Sequence, residues 1–127
     1  MSDKGNDQLR KMYQYAVALQ DYVARHDLTP ELLGSNQDYQ WAVVTPLMVI
    51  GECAATIRRL GEDAGPDIII GDIAGMRNRL AHDYDGTDWS VVEEVVFQDV
   101  PQLVKQIEAE LLRRGTTPSQ LSAQSAL

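Results

Sequence analysis

Cysteine occurs once in these 127 residues, phenylalanine once and histidine twice. A single cysteine excludes a disulfide framework and suits a reducing compartment, so a cytoplasmic protein is expected. With no His-x-x-x-His or Cys-x-x-Cys spacing, there is no ligand set for a zinc hydrolase, and no metal site or cofactor is expected. A phosphate-binding glycine loop is also missing: Gly61-Glu62-Asp63-Ala64-Gly65 lacks the lysine and hydroxyl of a P-loop. Long apolar runs are absent too. The stretch from Trp41 to Ala55 is interrupted by Thr45, Pro46, Gly51 and Glu52, too short and too polar to span a bilayer. The opening Met-Ser-Asp-Lys-Gly-Asn-Asp has no apolar signal-peptide core. Cations are scarce: 11 Lys and Arg face 19 Asp and Glu, for a net charge of −8. That argues against broad, non-specific affinity for nucleic acid, which needs many phosphate contacts. A nucleic-acid function would have to rest on a few focused cations, doubled by dimerisation or added by a partner.

What is present is ordinary for a soluble globular protein, with 44% hydrophobic and 24% charged residues. The length suits one domain, residues 1–115, followed by a Ser-, Thr- and Gln-rich tail, 116–127, expected to be mobile. Leu9, Met12, Tyr13, Ala16, Leu19 and Val23 follow the 3-4 spacing of a buried stripe and predict a helix over 8–26, with His26 as a surface residue near its end. Thr29-Pro30 opens a short helical turn that Gly34 should end. Ser35 or Asn36 then caps a long helix to about Leu60, which Pro46 should kink or break near 42–46. Within it, Cys53 is most simply a small core residue, and Glu52 is either a partner for a cationic site or an edge residue. Pro66-Asp67 opens the next helix, closed by Asp85-Gly86 near Tyr84. Thr87, Asp88 or Ser90 starts a further helix, and Ser90 with Glu93 has capping-box spacing. Pro101 marks a kink or restart with Asp99 as N-cap, and Gly115 terminates the last helix after Arg113 and Arg114. The fold class is therefore all-α, an antiparallel bundle of four to five helices.

One stretch stands out, Arg77-Asn78-Arg79-Leu80-Ala81-His82-Asp83-Tyr84. On a helix advancing about 100° per residue, Ile69, Ile73, Met76 and Leu80 form an apolar stripe, while Arg77, Asn78, His82 and Tyr84 share one polar sector beside it. Arg79 and Asp83 fall on the far side as a solvent pair. Spacing alone is met by the polar face of any amphipathic helix. The residue types suggest more. Cys53 lies in an apolar helix with no adjacent cation to activate it, which disfavours thiol chemistry. Cleavage of RNA without a metal remains. Its 2′-hydroxyl is an internal nucleophile, a histidine can move the protons, and an arginine can hold the charge that builds on phosphorus.

The segment Gly75-Met76-Arg77-Asn78-Arg79-Leu80-Ala81-His82-Asp83-Tyr84 resembles the Arg-x-x-x-x-His-x-Tyr signature of HepT-type toxins, in the HEPN superfamily of helical nucleases. The resemblance runs from about residue 8 to 112. Ile50-Gly51-Glu52 is similar to an upstream block of that family, and Asp88-Trp89-Ser90-Val91-Val92 and Asp99-Val100-Pro101-Gln102-Leu103 to downstream blocks. Thr45-Pro46 stands where the family often has Arg-Asn. The resemblance implies that Arg77 and His82 are a ribonuclease pair and that Asn78 orients the phosphate or the imidazole. It further implies a homodimer with the two motifs facing each other. The implied partner is a MntA-type nucleotidyltransferase antitoxin that transfers AMP from ATP to Tyr84, with hetero-oligomers of the two proteins. The expected function is thus the metal-independent RNase toxin of a toxin–antitoxin pair acting on RNA. The alternative is a non-catalytic helical dimer that binds a nucleotide or accompanies a nucleotidyltransferase.

Overall fold

Four of the described helices begin where a side chain satisfies free backbone N–H groups. The computed structural model describes residues 2–65, 68, 73, 75, 86–117, 120 and 121. Helix α1 spans Asp3–Arg25, with the Ser2 hydroxyl accepting from the Gly5 amide. It starts five residues before the expected Gln8, because Ser2 caps it and the buried Gly5 extends its inner face. Thr29 caps α2, Pro30–Ser35, with Pro30 in its first turn. Gly34 does not end that turn. Asn36 closes it, its amide bonding Leu32 O, and in the same position caps α3 through its side-chain oxygen. Asp88 caps α4, Trp89–Glu94, accepting from Ser90 N at 3.0 Å. The Ser90–Glu93 capping box is therefore not the device used.

Both prolines read as breaks are absorbed. Helix α3, Gln37–Arg59, runs unbroken through Pro46. A proline inside a helix costs about 3 kcal/mol. Here Val43, Val44, Leu47 and Ile50 are buried on either side of it, and a break would expose them. At Pro101 the chain also stays helical. Val95–Asp99 forms a π-helical turn in which the Val100 amide bonds Val95 O, and α5, Val100–Arg113, follows directly. The widened turn fits a residue that has no amide hydrogen to give. Asp99 is itself helical and makes no capping bond, so the expected restart there does not occur.

Helix α1 runs antiparallel to both α3 and α5. Ser2 N meets Glu62 Oε1 at one end of the α1–α3 pair, 3.0 Å apart, and the Tyr22 and Tyr39 rings meet at the other. Arg114, after α5, bonds Asn6 of α1 at 3.0 Å. The core lies between these helices. Leu9, Met12, Ala16 and Leu19 of α1 meet Val43, Leu47, Ile50, Ala54 and Ile57 of α3, with Ile107 and Leu111 of α5. Ile107 and Leu9 are fully buried, and truncating either to alanine should cost about 3 kcal/mol. The helical class and bundle architecture match the sequence expectation, and the described residues include no strand. Beyond α5, Thr116 and Leu121 are buried. Gly115, at φ +96°, turns the chain back and Leu121 joins the core, so this part of the expected mobile tail is packed.

Candidate functional site

Arg77, Asn78, His82 and Tyr84 lie outside the described residues, as do Ile69, Met76 and Leu80 of the expected apolar stripe. What the structure defines is the ground on either side. Of the stripe, Ile73 is described. It is half-buried and packs against the core. Ile68, one position ahead of the stripe, is buried at 6% exposure.

The approach to the motif segment is fixed by a polar latch. Helix α3 ends in a Schellman turn: Gly61, at φ +68°, donates to Arg58 O, and Glu62 donates to Ile57 O. Glu62 then accepts from Ser2 N, and hydrogen bonding from the Ser2 side chain, then from its backbone, holds the carboxyl below the usual range. Asp63 accepts the Gly65 amide at 3.1 Å on its side chain and the Arg114 Nη2 at 3.1 Å on its carbonyl. Glu110, only 6% exposed, sits beneath Gly65. It accepts from Arg113 at Oε2 over 3.0 Å and again at Oε1, and from Arg114 Nε at 2.6 Å. The Arg113 hydrogen bond, then Arg114, holds the Glu110 carboxyl low against the opposing effect of its burial. Gly65 has φ +125°, and a Cβ there would stand 2.9 Å from the Glu110 carboxylate. Only glycine satisfies both constraints. Sequence reading took Arg113 and Arg114 as cations suited to a helix end. The i, i+3 and i, i+4 spacing from Glu110 was the signal that they share one carboxylate.

Past the motif, Gly86 to Asp88 lead into α4, which packs on α2.

The other candidates take plain positions. Cys53 is 1% exposed, and burial pushes its thiol up to about 11 despite nearby Lys11. It is a core residue with no thiolate to offer near neutrality. Glu52 is exposed and lies 3.6 Å from Arg59. His26 is exposed as expected, but it is not isolated. Its ring lies 4.2 Å from that of Tyr22 and 6.0 Å from that of Tyr39. Sequence reading missed this cluster. Its only local signal was the i, i+4 spacing of Tyr22 and His26. Among the described residues no group of His, Cys, Asp and Glu is arranged to hold a metal ion.

Residues 12–110 match the family described as Ribonuclease HepT-like. Two proteins of Methanocaldococcus jannaschii named as RNases are 33% and 35% identical over 82 and 74 residues. These stretches cover 65% and 58% of this chain, and 71% and 61% of the relatives. A protein of Thermococcus cleftensis named as a ribonuclease HepT is 35% identical over 69 residues, 54% of this chain and 63% of its own. No solved structure is significantly similar to the chain.

Proposed function

The chain belongs to the HepT-like ribonuclease family, and from that membership we propose that it is a toxin endoribonuclease in which Arg77 and His82 cut RNA and Tyr84 is the point of control. One observation supports this above the rest. The matched region, 12–110, spans the Arg77–Tyr84 motif together with the helices on both sides of it.

In this reading the substrate's 2′-oxygen attacks the adjacent phosphorus and the bond to the 5′-oxygen breaks. A 2′,3′-cyclic phosphate and a free 5′-hydroxyl result. His82 takes the 2′ proton or supplies one to the leaving oxygen, a role for which imidazole is the usual side chain. Arg77 donates two parallel hydrogen bonds to the phosphoryl oxygens as their charge grows. Asn78 positions the phosphate or the imidazole. Two copies of the chain face each other across the motifs, which concentrates cations in one cleft of an otherwise acidic protein. A nucleotidyltransferase antitoxin transfers AMP from ATP to the Tyr84 oxygen and releases pyrophosphate. The added phosphate puts negative charge where the RNA backbone must lie.

The test is cleavage of a mixed RNA substrate by the purified chain in the presence of a chelator. His82→Ala should lose at least a hundredfold in rate with an unchanged helical circular dichroism spectrum. Cleavage at the parental rate by that variant overturns the assignment. Tyr84→Phe should cut RNA like the parent yet gain no AMP mass when incubated with the neighbouring nucleotidyltransferase and ATP. Modification of the same peptide in the Phe variant overturns the control site.

A further inference from the structure

We infer that Tyr22, His26 and Tyr39 form an aromatic seat for a cationic side chain, arginine or lysine, presented by a protein partner. The rings come from the last turns of α1 and the first turn of α3. The Tyr22 and His26 ring centroids are 4.2 Å apart, with planes tilted by 39°. Tyr39 stands steeply to both, at 72° to Tyr22 and 64° to His26, with centroids 6.5 and 6.0 Å away. Two walls at that angle and spacing let one cation lie within about 6 Å of both faces, the reach of a cation–π contact. Tyr22 and Tyr39 are half-buried against the core and His26 is exposed. The seat is therefore anchored by its tyrosines and open at its histidine.

Charge decides the occupant. Each ring has an aspartate as its chain neighbour: Asp21 before Tyr22, Asp27 after His26, and Asp38 before Tyr39. All three are exposed. None makes an ion pair among the described residues, where the pairs are Arg10–Asp7, Arg59–Glu52 and the two arginines on Glu110. Among the described residues that flank the rings in the chain, Arg25 is the one lysine or arginine, and it too is exposed and in no such pair. Exposed rings can also stack on nucleobases, the natural alternative in a ribonuclease. Three uncompensated carboxylates against one arginine would repel an RNA backbone here. The same field attracts a cation and strengthens its hold on the rings. The inference does not use Arg77 or His82 and stands apart from the cleavage chemistry.

The test is NMR titration of the full chain, following the ring protons of His26. The probes are N-acetyl-arginine methylamide, its neutral isostere N-acetyl-citrulline methylamide, and a short single-stranded RNA. The arginine probe should shift the His26 signals saturably and the citrulline probe should not. Binding should weaken about threefold in the double variant Asp21→Asn, Asp38→Asn, which changes only exposed charges. It should be lost in Tyr39→Leu, with the Asn variant guarding against a fold defect in the latter. Equal shifts with citrulline, shifts with RNA but not arginine, or no shift with arginine at tens of millimolar each overturn the proposal.

Discussion

The two ends of the bundle treat charge in opposite ways. At the latched end, Glu110 is buried beneath Gly65, and two arginines saturate its oxygens. Arg114 goes on to Asn6 of α1 and the Asp63 carbonyl. One cation therefore ties three parts of the chain together just ahead of the motif segment. At the far end, the exposed Asp21, Asp27 and Asp38 are each next in the chain to one of three clustered rings. Buried charge must be neutralised where it stands, whereas exposed charge can be left to act on something else. The latched end thus stabilises the molecule, and the open end contributes a field at little cost.

The sharpest way to break the comparison is at Glu110. Glu110→Ala leaves Arg114, at 16% side-chain exposure, without its carboxylate. It should cost about 2–3 kcal/mol in urea denaturation. The exposed Arg113 adds little to that figure because water screens it. The effect has a pH signature. The folded Glu110 carboxyl titrates below its ordinary value of 4.5. Its contribution is therefore complete above that pH and disappears as pH falls through the folded value. The stability gap between the parent and Glu110→Gln should be constant near neutrality and shrink on acidification below 4.5. A gap independent of pH would mean the carboxylate charge is not what matters.

Gly65→Ala tests the same latch from the backbone side. Its φ of +125° and the 2.9 Å approach to Glu110 act together, and the expected cost is about 2 kcal/mol. The double variant Gly65→Ala, Glu110→Ala should cost less than the sum, because removing the carboxylate relieves the contact. Strict additivity would separate the glycine from the latch.

The helices were legible because 3-4 apolar spacing survives any local detail. Leu9, Met12, Ala16 and Leu19 are buried as that spacing requires. The prolines were misread because local rules carry no knowledge of what lies opposite. Pro46 is tolerated by burial on both sides, and Pro101 by a π turn whose bond pattern no residue type announces. The latch and the ring cluster were hidden for a different reason. Each joins residues far apart in the chain, Asn6 with Arg114 and Tyr22 with Tyr39. The motif from Arg77 to Tyr84 was legible only as a combination of residue types at a spacing. Nothing in helical periodicity separates such a set from a solvated face.

The smallest expected effect sharpens the comparison most, since it requires near-zero change on removal of two charges. Asp38 lies in the first turn of α3, where a negative charge meets the positive end of the helix dipole. Asp38→Asn should cost a few tenths of a kcal/mol, roughly the lower end of that interaction. Asp21 lies near the C-terminal end of α1, where the dipole opposes it, and Asp21→Asn should gain a similar small amount. The two nearly cancel, so the double variant should unfold within about 0.5 kcal/mol of the parent. A loss approaching that of Glu110→Ala would show that these carboxylates are partnered within the fold. The open end would then be a second latch, and the cation seat would have no charge to spare.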